Sequence, residues 1–175
     1  PLNDVNLLVA VENLDRRETL RDVTESWGIS TTEAVTGEEV VDRLRSASAE
    51  GHPIDVILLD INLGDTDGLS LAETIHHTAD LPDVRLILLT PLGQRMDVEI
   101  LRLAGFSAAL LKPVRRDRLR ECLSQVLFAG AEQAEDVSSD STIIKLASDQ
   151  STIVRPLQIL LVGDNTGNQQ PDPIQ

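Results

Sequence analysis

Five short strand-like runs alternate along this chain with five segments of helical period, and that alternation constrains the fold more than any other feature. The runs are residues 5–11 (VNLLVAV), 29–35, 54–59 (IDVILL), 84–89 (VRLILL) and 107–111 (SAALL). They are largely apolar without a period of two, so both faces of most strands need cover. Between them, residues 15–27 carry Leu20, Val23 and Trp27 at helical spacing, and Gly28 follows where a helix end favours glycine. Thr36 and Glu39 have capping-box spacing ahead of an apolar face of Val40, Val41 and Leu44. A third helix, after a loop over residues 62–68, holds Leu69, Leu71, Ala72 and Ile75; residues 94–104 and 115–128 read as the fourth and fifth. Strands and helices in strict turn predict an α/β domain over residues 1–129, a parallel sheet with helices on both faces.

The core of such a fold is aliphatic, and the composition agrees: 41% of the 175 residues are hydrophobic, with one Trp, two Phe and no Tyr. Formal charge is −14, from 29 acidic against 15 basic residues, so phosphates would be repelled and no nucleic-acid partner is expected. The charge is uneven. Residues 91–129 hold Arg95, Arg102, Lys112, Arg115, Arg116, Arg118 and Arg120 against Asp97, Glu99, Asp117 and Glu121. This stretch reads either as a solvated surface of mixed sign or, on the face of the fourth and fifth helices, as a docking face for an acidic partner, a kinase domain or an anionic nucleotide. No run approaches the roughly 18 apolar residues of a membrane span, and no basic start precedes an apolar run. Neither membrane contact nor a signal peptide is therefore expected of this segment. Cys122 is the only cysteine, which rules out an internal disulfide and suits a reducing, cytoplasmic setting. Its apolar neighbours mark it as core. The chain starts at Pro1 rather than Met, and is expected to be an excised piece of a longer protein.

Glu12, Asp60, Thr90 and Lys112 each stand one residue beyond a predicted strand, where parallel sheets collect functional groups. Together they suit phosphoryl transfer to a carboxylate. That chemistry needs a nucleophile, a divalent cation to neutralise phosphate oxygens, and donors for the oxygens that remain. Asp60 supplies the nucleophile. Glu12 and Asp60, with the backbone carbonyl of Asn62, suit a hard cation such as Mg²⁺. Thr90 offers a hydroxyl and Lys112 a mobile positive charge. The plain alternatives are a loop acid at Asp60, a surface acid at Glu12, a solvated Lys112 and an incidental Asn62 side chain. His52, His76 and His77 read as exposed, since an adjacent pair on a helix points two ways and has no third ligand nearby.

The motifs around these positions are LLDINL at 58–63, Asp67-Gly68, LILLT ending at Thr90, Ala104-Gly105-Phe106 and Leu111-Lys112-Pro113. Asp60 to Thr90 is 30 residues, and Thr90 to Lys112 is 22. On these motifs residues 5–128 resemble the receiver domains of bacterial response regulators and hybrid histidine kinases. The resemblance implies a flavodoxin-like, doubly wound, five-stranded parallel sheet, the (βα)5 receiver fold. It implies that Asp60 accepts a phosphoryl group from a kinase histidine and that Thr90 is the switch hydroxyl. It implies that Lys112 contacts phosphoryl oxygens, with Lys112-Pro113 on the family's cis peptide. Mg²⁺ follows as cofactor, and a histidine kinase domain or a histidine phosphotransfer domain as partner. The module would not itself be an enzyme.

Where the family carries two adjacent acids after the first strand, this chain has Val11 and Glu12. Arg17, five residues on, and Trp27-Gly28 at the helix end support that register. One carboxylate fewer implies weaker Mg²⁺ binding. Ala109 stands where the family has its switch aromatic, and Leu63-Gly64 replaces a Met-Pro pair. The alternative function is therefore a degenerate pseudo-receiver that regulates a histidine kinase by protein or anionic-ligand binding, without phosphorylation. A phosphatase of the haloacid-dehalogenase type is disfavoured, because it needs a second Asp two residues after the nucleophile, and Asn62 stands there.

Residues 130–155 read as an acidic, Ser-rich linker without apolar period. Residues 156–175 resemble the truncated start of a second receiver, with a strand over 157–162 and Asp164-Asn165 at the acidic position. Gly163 replaces the first acid there, and Pro171 and Pro173 interrupt the helix that should follow. Two receivers in tandem imply a hybrid sensor histidine kinase as parent. A lone strand cannot bury its faces, so this tail is expected to be mobile or to pair with the sheet edge of this or another copy, the latter giving a homodimer.

Overall fold

The computed structural model describes residues 2–94, 96–128 and 143–145. Strands β1 (Asn6–Ala10), β2 (Ser30–Ala34), β3 (Val56–Asp60), β4 (Arg85–Pro91) and β5 (Phe106–Lys112) alternate with five helices. The helices are α1 (Leu14–Glu25), α2 (Gly37–Ala49), α3 (Gly68–His77), α4 (Val98–Leu103) and α5 (Arg116–Phe128). The strands pair in parallel, as the alternation predicts, in the order β2-β1-β3-β4-β5, the doubly wound flavodoxin-like sheet that the resemblance implies. A two-residue ribbon, Asn62–Leu63 against Thr66–Asp67, shapes the turn between β3 and α3.

The absence of a period of two in the central strands has a direct cause. In β3, Ile57 and Leu59 face a cluster with Val40, Leu44, Leu71, Ile75 and Leu101 of α2, α3 and α4. Val56 and Leu58 face the opposite cluster, with Leu20 of α1 and Leu119, Cys122 and Leu123 of α5. All four strand residues are 0% exposed, so each contributes about 1.5–3 kcal/mol of burial on one face or the other.

The helices start where side chains can take up free backbone donors. Asn13 accepts from Arg16 N at 3.0 Å and Thr36 from Glu39 N at 3.2 Å. Glu39 reaches back to accept from Val35 N at 2.8 Å, a near-reciprocal capping box. The fourth helix is shorter than residues 94–104. It begins at Val98 because Asp97 accepts from Glu99 N at 2.9 Å and caps the chain there. The ends of the strands also differ from expectation. Asp60 pairs with Leu89, Thr90 with Leu111 and Pro91 with Lys112. Asp60 and Lys112 thus close their strands and Thr90 is the last but one of its own, none of the three being the first residue beyond a strand.

A sixth strand, β6 (Ile143–Lys145), pairs antiparallel with β5: Ala108 with Lys145, Ala109 with Ile144 and Leu110 with Ile143. It falls inside the stretch that composition marks as linker. Three residues are too few to show a period, and it is the sheet edge that makes them a strand. Residues 156–175, read as the start of a second receiver, lie outside the described residues, as does Arg95. Among the described residues no helix is long and apolar enough to cross a membrane.

Candidate functional site

Asp60 ends the most deeply buried strand and is itself 5% exposed. A carboxylate there needs partners, because burial of an unpaired charge is strongly unfavourable. Lys112 Nζ donates to both of its oxygens, at 2.8 Å each. The backbone N–H of Asn62 donates to Oδ1 at 3.1 Å. The Asn62 side chain is exposed, so at this carboxylate it is the backbone of Asn62 that acts. The Lys112–Pro113 peptide is cis.

Thr90 lies on the strand between the other two, 1% exposed, and its Oγ1 has no hydrogen-bond partner among the described residues. A buried hydroxyl left unmatched costs about 1–3 kcal/mol. The site therefore holds a hydroxyl without a partner among the described residues, beside a carboxylate whose two oxygens both accept from Lys112.

Glu12 lies beyond β1, the neighbour of β3, and is exposed. A Cβ on Gly64 would lie 3.8 Å from its Cδ and Oε1, which puts the carboxyl group over the turn after β3. That carboxylate has no ion pair or hydrogen bond among the described residues. Val11, by contrast, is 1% exposed and packs in the cluster shared with α1 and α5. The position aligned with an acid of the family thus presents an isopropyl group to the core.

Three contributors were not legible as such in the sequence. Arg17 served there only to set the register. Its Nη1 donates to the carbonyls of Val11 at 2.8 Å and Glu12 at 3.1 Å, and its Nε lies 3.5 Å from Glu33. It thereby holds the turn that carries Glu12. Gly68 is required by contact: a Cβ there would stand 2.8 Å from the Asp60 carbonyl oxygen and 3.1 Å from Ile61 Cα. Its N–H donates to Ile61 O at 2.7 Å, which pins the start of α3 to the end of β3. Asp67 caps α3, accepting from Ser70 N at 3.0 Å and Ser70 Oγ at 2.6 Å. The Ser70 hydroxyl, and then its amide, hold the Asp67 carboxyl below the usual carboxylate range. The Asp67-Gly68 motif was the available signal for two of these three.

A cavity of about 540 Å³ opens beside Asp60 and Lys112. Its walls include Val11, Leu20, Leu89, Leu92, Pro113 and Val114, with Arg16 and Thr19 of α1.

Most of the described arginines of this stretch have a neighbouring acid or ring. Arg102 donates to Glu99 at 3.0 Å, Arg118 to Glu121 at 3.0 Å, and Arg115 lies 3.4 Å from Asp117. Arg116 and Arg120 sit over the Trp27 ring at 5.6 and 6.0 Å, on the α1 side of α5 rather than with α4. His76 Nε2 lies 3.1 Å from Gly105 O, and His77 Nδ1 lies 2.8 Å from Glu73 O. Among the described residues no three His, Cys, Asp or Glu side chains converge as a metal cluster. Cys122 is 0% exposed, and burial pushes its thiol up to about 12, which leaves it inert.

Residues 7–124 match the Response regulator receiver domain. The chain belongs to that family. It is 28% identical over 122 residues to the polar-differentiation response regulator DivK of Brucella ovis, covering 70% of this chain and 95% of DivK. The receiver fold matches a putative response regulator from Chloroflexus aurantiacus with a TM-score of 0.62, at 22% identity over 70% of this chain and 97% of that one. It also matches a co-crystal structure of the Saccharomyces cerevisiae histidine phosphotransfer protein Ypd1 and the receiver domain of Ssk1. There the TM-score is 0.60 at 20% identity, over 73% of this chain and 91% of the other. This chain is thus a receiver domain of two-component signalling.

Proposed function

We propose that this receiver domain is a phosphoacceptor, with Asp60 as the residue that takes the phosphoryl group from a histidine of a kinase or phosphotransfer domain. The observation that carries the reading is the pairing of Asp60 with Lys112 beside the unpartnered hydroxyl of Thr90. A carboxylate oxygen of Asp60 attacks phosphorus, the bond from phosphorus to the donor's imidazole nitrogen breaks, and an acyl phosphate forms. Lys112 follows the negative charge from the carboxylate to the phosphoryl oxygens. Thr90 Oγ1 gains the acceptor it lacks. The co-crystallised yeast pair, one partner a histidine phosphotransfer protein, supports that class of donor.

Mg²⁺ fits the donor set. Two carboxylates, Glu12 and Asp60, and the Asn62 carbonyl lie at or just beyond the ends of neighbouring strands, and the Glu12 carboxylate is unpartnered among the described residues. These groups would hold the ion, and its chemistry when bound is to neutralise phosphate oxygens. With Val11 in place of a further acid, the expected affinity is low. The resemblance of residues 156–175 to a second receiver supports a hybrid sensor histidine kinase as parent.

Burial of Val11 in the α1–α5 core favours a second reading, a pseudo-receiver that acts by binding alone. One experiment separates the two. Amide NMR spectra are recorded with Mg²⁺ and beryllofluoride, a phosphoryl mimic, for the wild type and Asp60→Asn. Shifts around Asp60, Thr90 and Lys112 that are absent from the variant support phosphoacceptance. No response at millimolar Mg²⁺ leaves the pseudo-receiver as the function.

A further inference from the structure

A parallel sheet of five strands has two edges, and an edge is a row of unpaired N–H and C=O groups that invites another chain. The two edges here are built differently. β2 reads STTEA, is mostly half-exposed, and carries Glu33, which is ion-paired with Arg17 and Arg21. Polar and charged residues of that kind discourage pairing by a foreign strand. β5 reads FSAALLK and has no charge and no proline before its last residue. By composition it is the unguarded edge. Its one irregularity is a register shift opposite Leu86 and Ile87, which leaves Ser107 as the extra residue of a bulge.

β6 takes up the ladder just beyond that bulge, at Ala108, Ala109 and Leu110. The connection is long enough to close within one chain. α5 runs back along the sheet for 13 residues, roughly 20 Å. Residues 129–142 can span up to roughly 46 Å when extended, more than twice that length. Beside the same edge, α4 packs inward through Leu101 and leaves Ile100 and Leu103 exposed, at 52% and 70%. A second copy that paired along β5 would gain both the free hydrogen-bonding row and this apolar surface.

We propose that Ile143–Lys145 is a built-in edge cover, which occupies β5 of its own chain and so keeps a second copy of the chain from pairing there. The cover does for β5 what Glu33 and its ion pairs do for β2. Its release exposes the edge and turns β5 into a self-association surface.

The test uses the full chain, with Ile144→Pro to remove a backbone donor from β6 and Ile144→Val to leave the backbone unchanged. Residue-resolved hydrogen exchange reads the amides among 108–110 that point away from β4. Sedimentation over a range of concentrations reads the oligomeric state. In the wild type and Ile144→Val those amides are slow and the protein is monomeric. In Ile144→Pro they exchange faster by on the order of tenfold or more, those directed to β4 stay slow, and dimer appears as concentration rises. Equal exchange in the wild type and Ile144→Pro overturns the cover. A dimeric wild type that loses protection on dilution overturns the single-chain seat. A proline variant with a fast-exchanging edge that stays monomeric overturns the role in keeping copies apart.

Discussion

Lys112 Nζ sits 2.8 Å from each carboxylate oxygen of Asp60, although 52 residues separate the two in sequence. Thr90 lies on the strand between them, so three adjacent strands each carry one of these residues at or next to the carboxyl end. The side chains of the ion pair are only 7% exposed at Asp60 and 16% at Lys112. Such a pair is costly to break from one side and cheap to remove whole.

Lys112→Met therefore leaves a buried carboxylate with one backbone N–H as its remaining donor. The expected loss of stability is about 3 kcal/mol by urea denaturation. Asp60→Asn combined with Lys112→Met removes both charges and should recover much of it. Additive losses in that double-mutant cycle would show that the pair contributes no coupling.

Gly68→Ala forces a methyl group against the Asp60 carbonyl, which would lie 2.8 Å away. Backbone cannot yield as a flexible side chain does, so the expected cost is about 1–3 kcal/mol. Amide shifts should change at Asp60, Ile61 and Asn62, whereas an unchanged spectrum there would mean that α3 can move off the strand without effect.

Asp67→Ala removes the cap of α3 and should cost about 1 kcal/mol at pH 7. The folded carboxyl titrates below its ordinary value of 3.8, so its stabilisation is complete above that pH. It disappears as pH falls through the folded value. The difference between wild type and variant should thus shrink in acid, and a difference independent of pH would remove the carboxylate from the account.

Val11→Asp restores an acid at the first position of the family's pair. The Val11 side chain is 1% exposed among α1 and α5, so without metal the variant should be less stable by about 1–3 kcal/mol. Added Mg²⁺ should raise its unfolding midpoint more than that of the wild type, because ligands that bind only the folded state stabilise it. Equal Mg²⁺ responses would separate position 11 from metal affinity.

The sequence by itself determined the frame. Strands covered on both faces must be apolar throughout, so β1, β3 and β4 were legible from their runs alone, and helices in turn with them dictated a parallel sheet. That Asp60, Thr90 and Lys112 fall together at one end of the sheet was legible because each follows an apolar strand run. Tertiary structure decided what depends on contact between distant segments. Gly68 is needed only because α3 starts against the β3 carbonyl, and Arg17 matters only because the Val11 and Glu12 carbonyls lie within its reach. The contacts of the α5 arginines with Trp27 and with neighbouring acids likewise depend on the packed structure. β6 is the plainest case, since three residues carry no periodic signal and become a strand through the open hydrogen-bonding edge of β5.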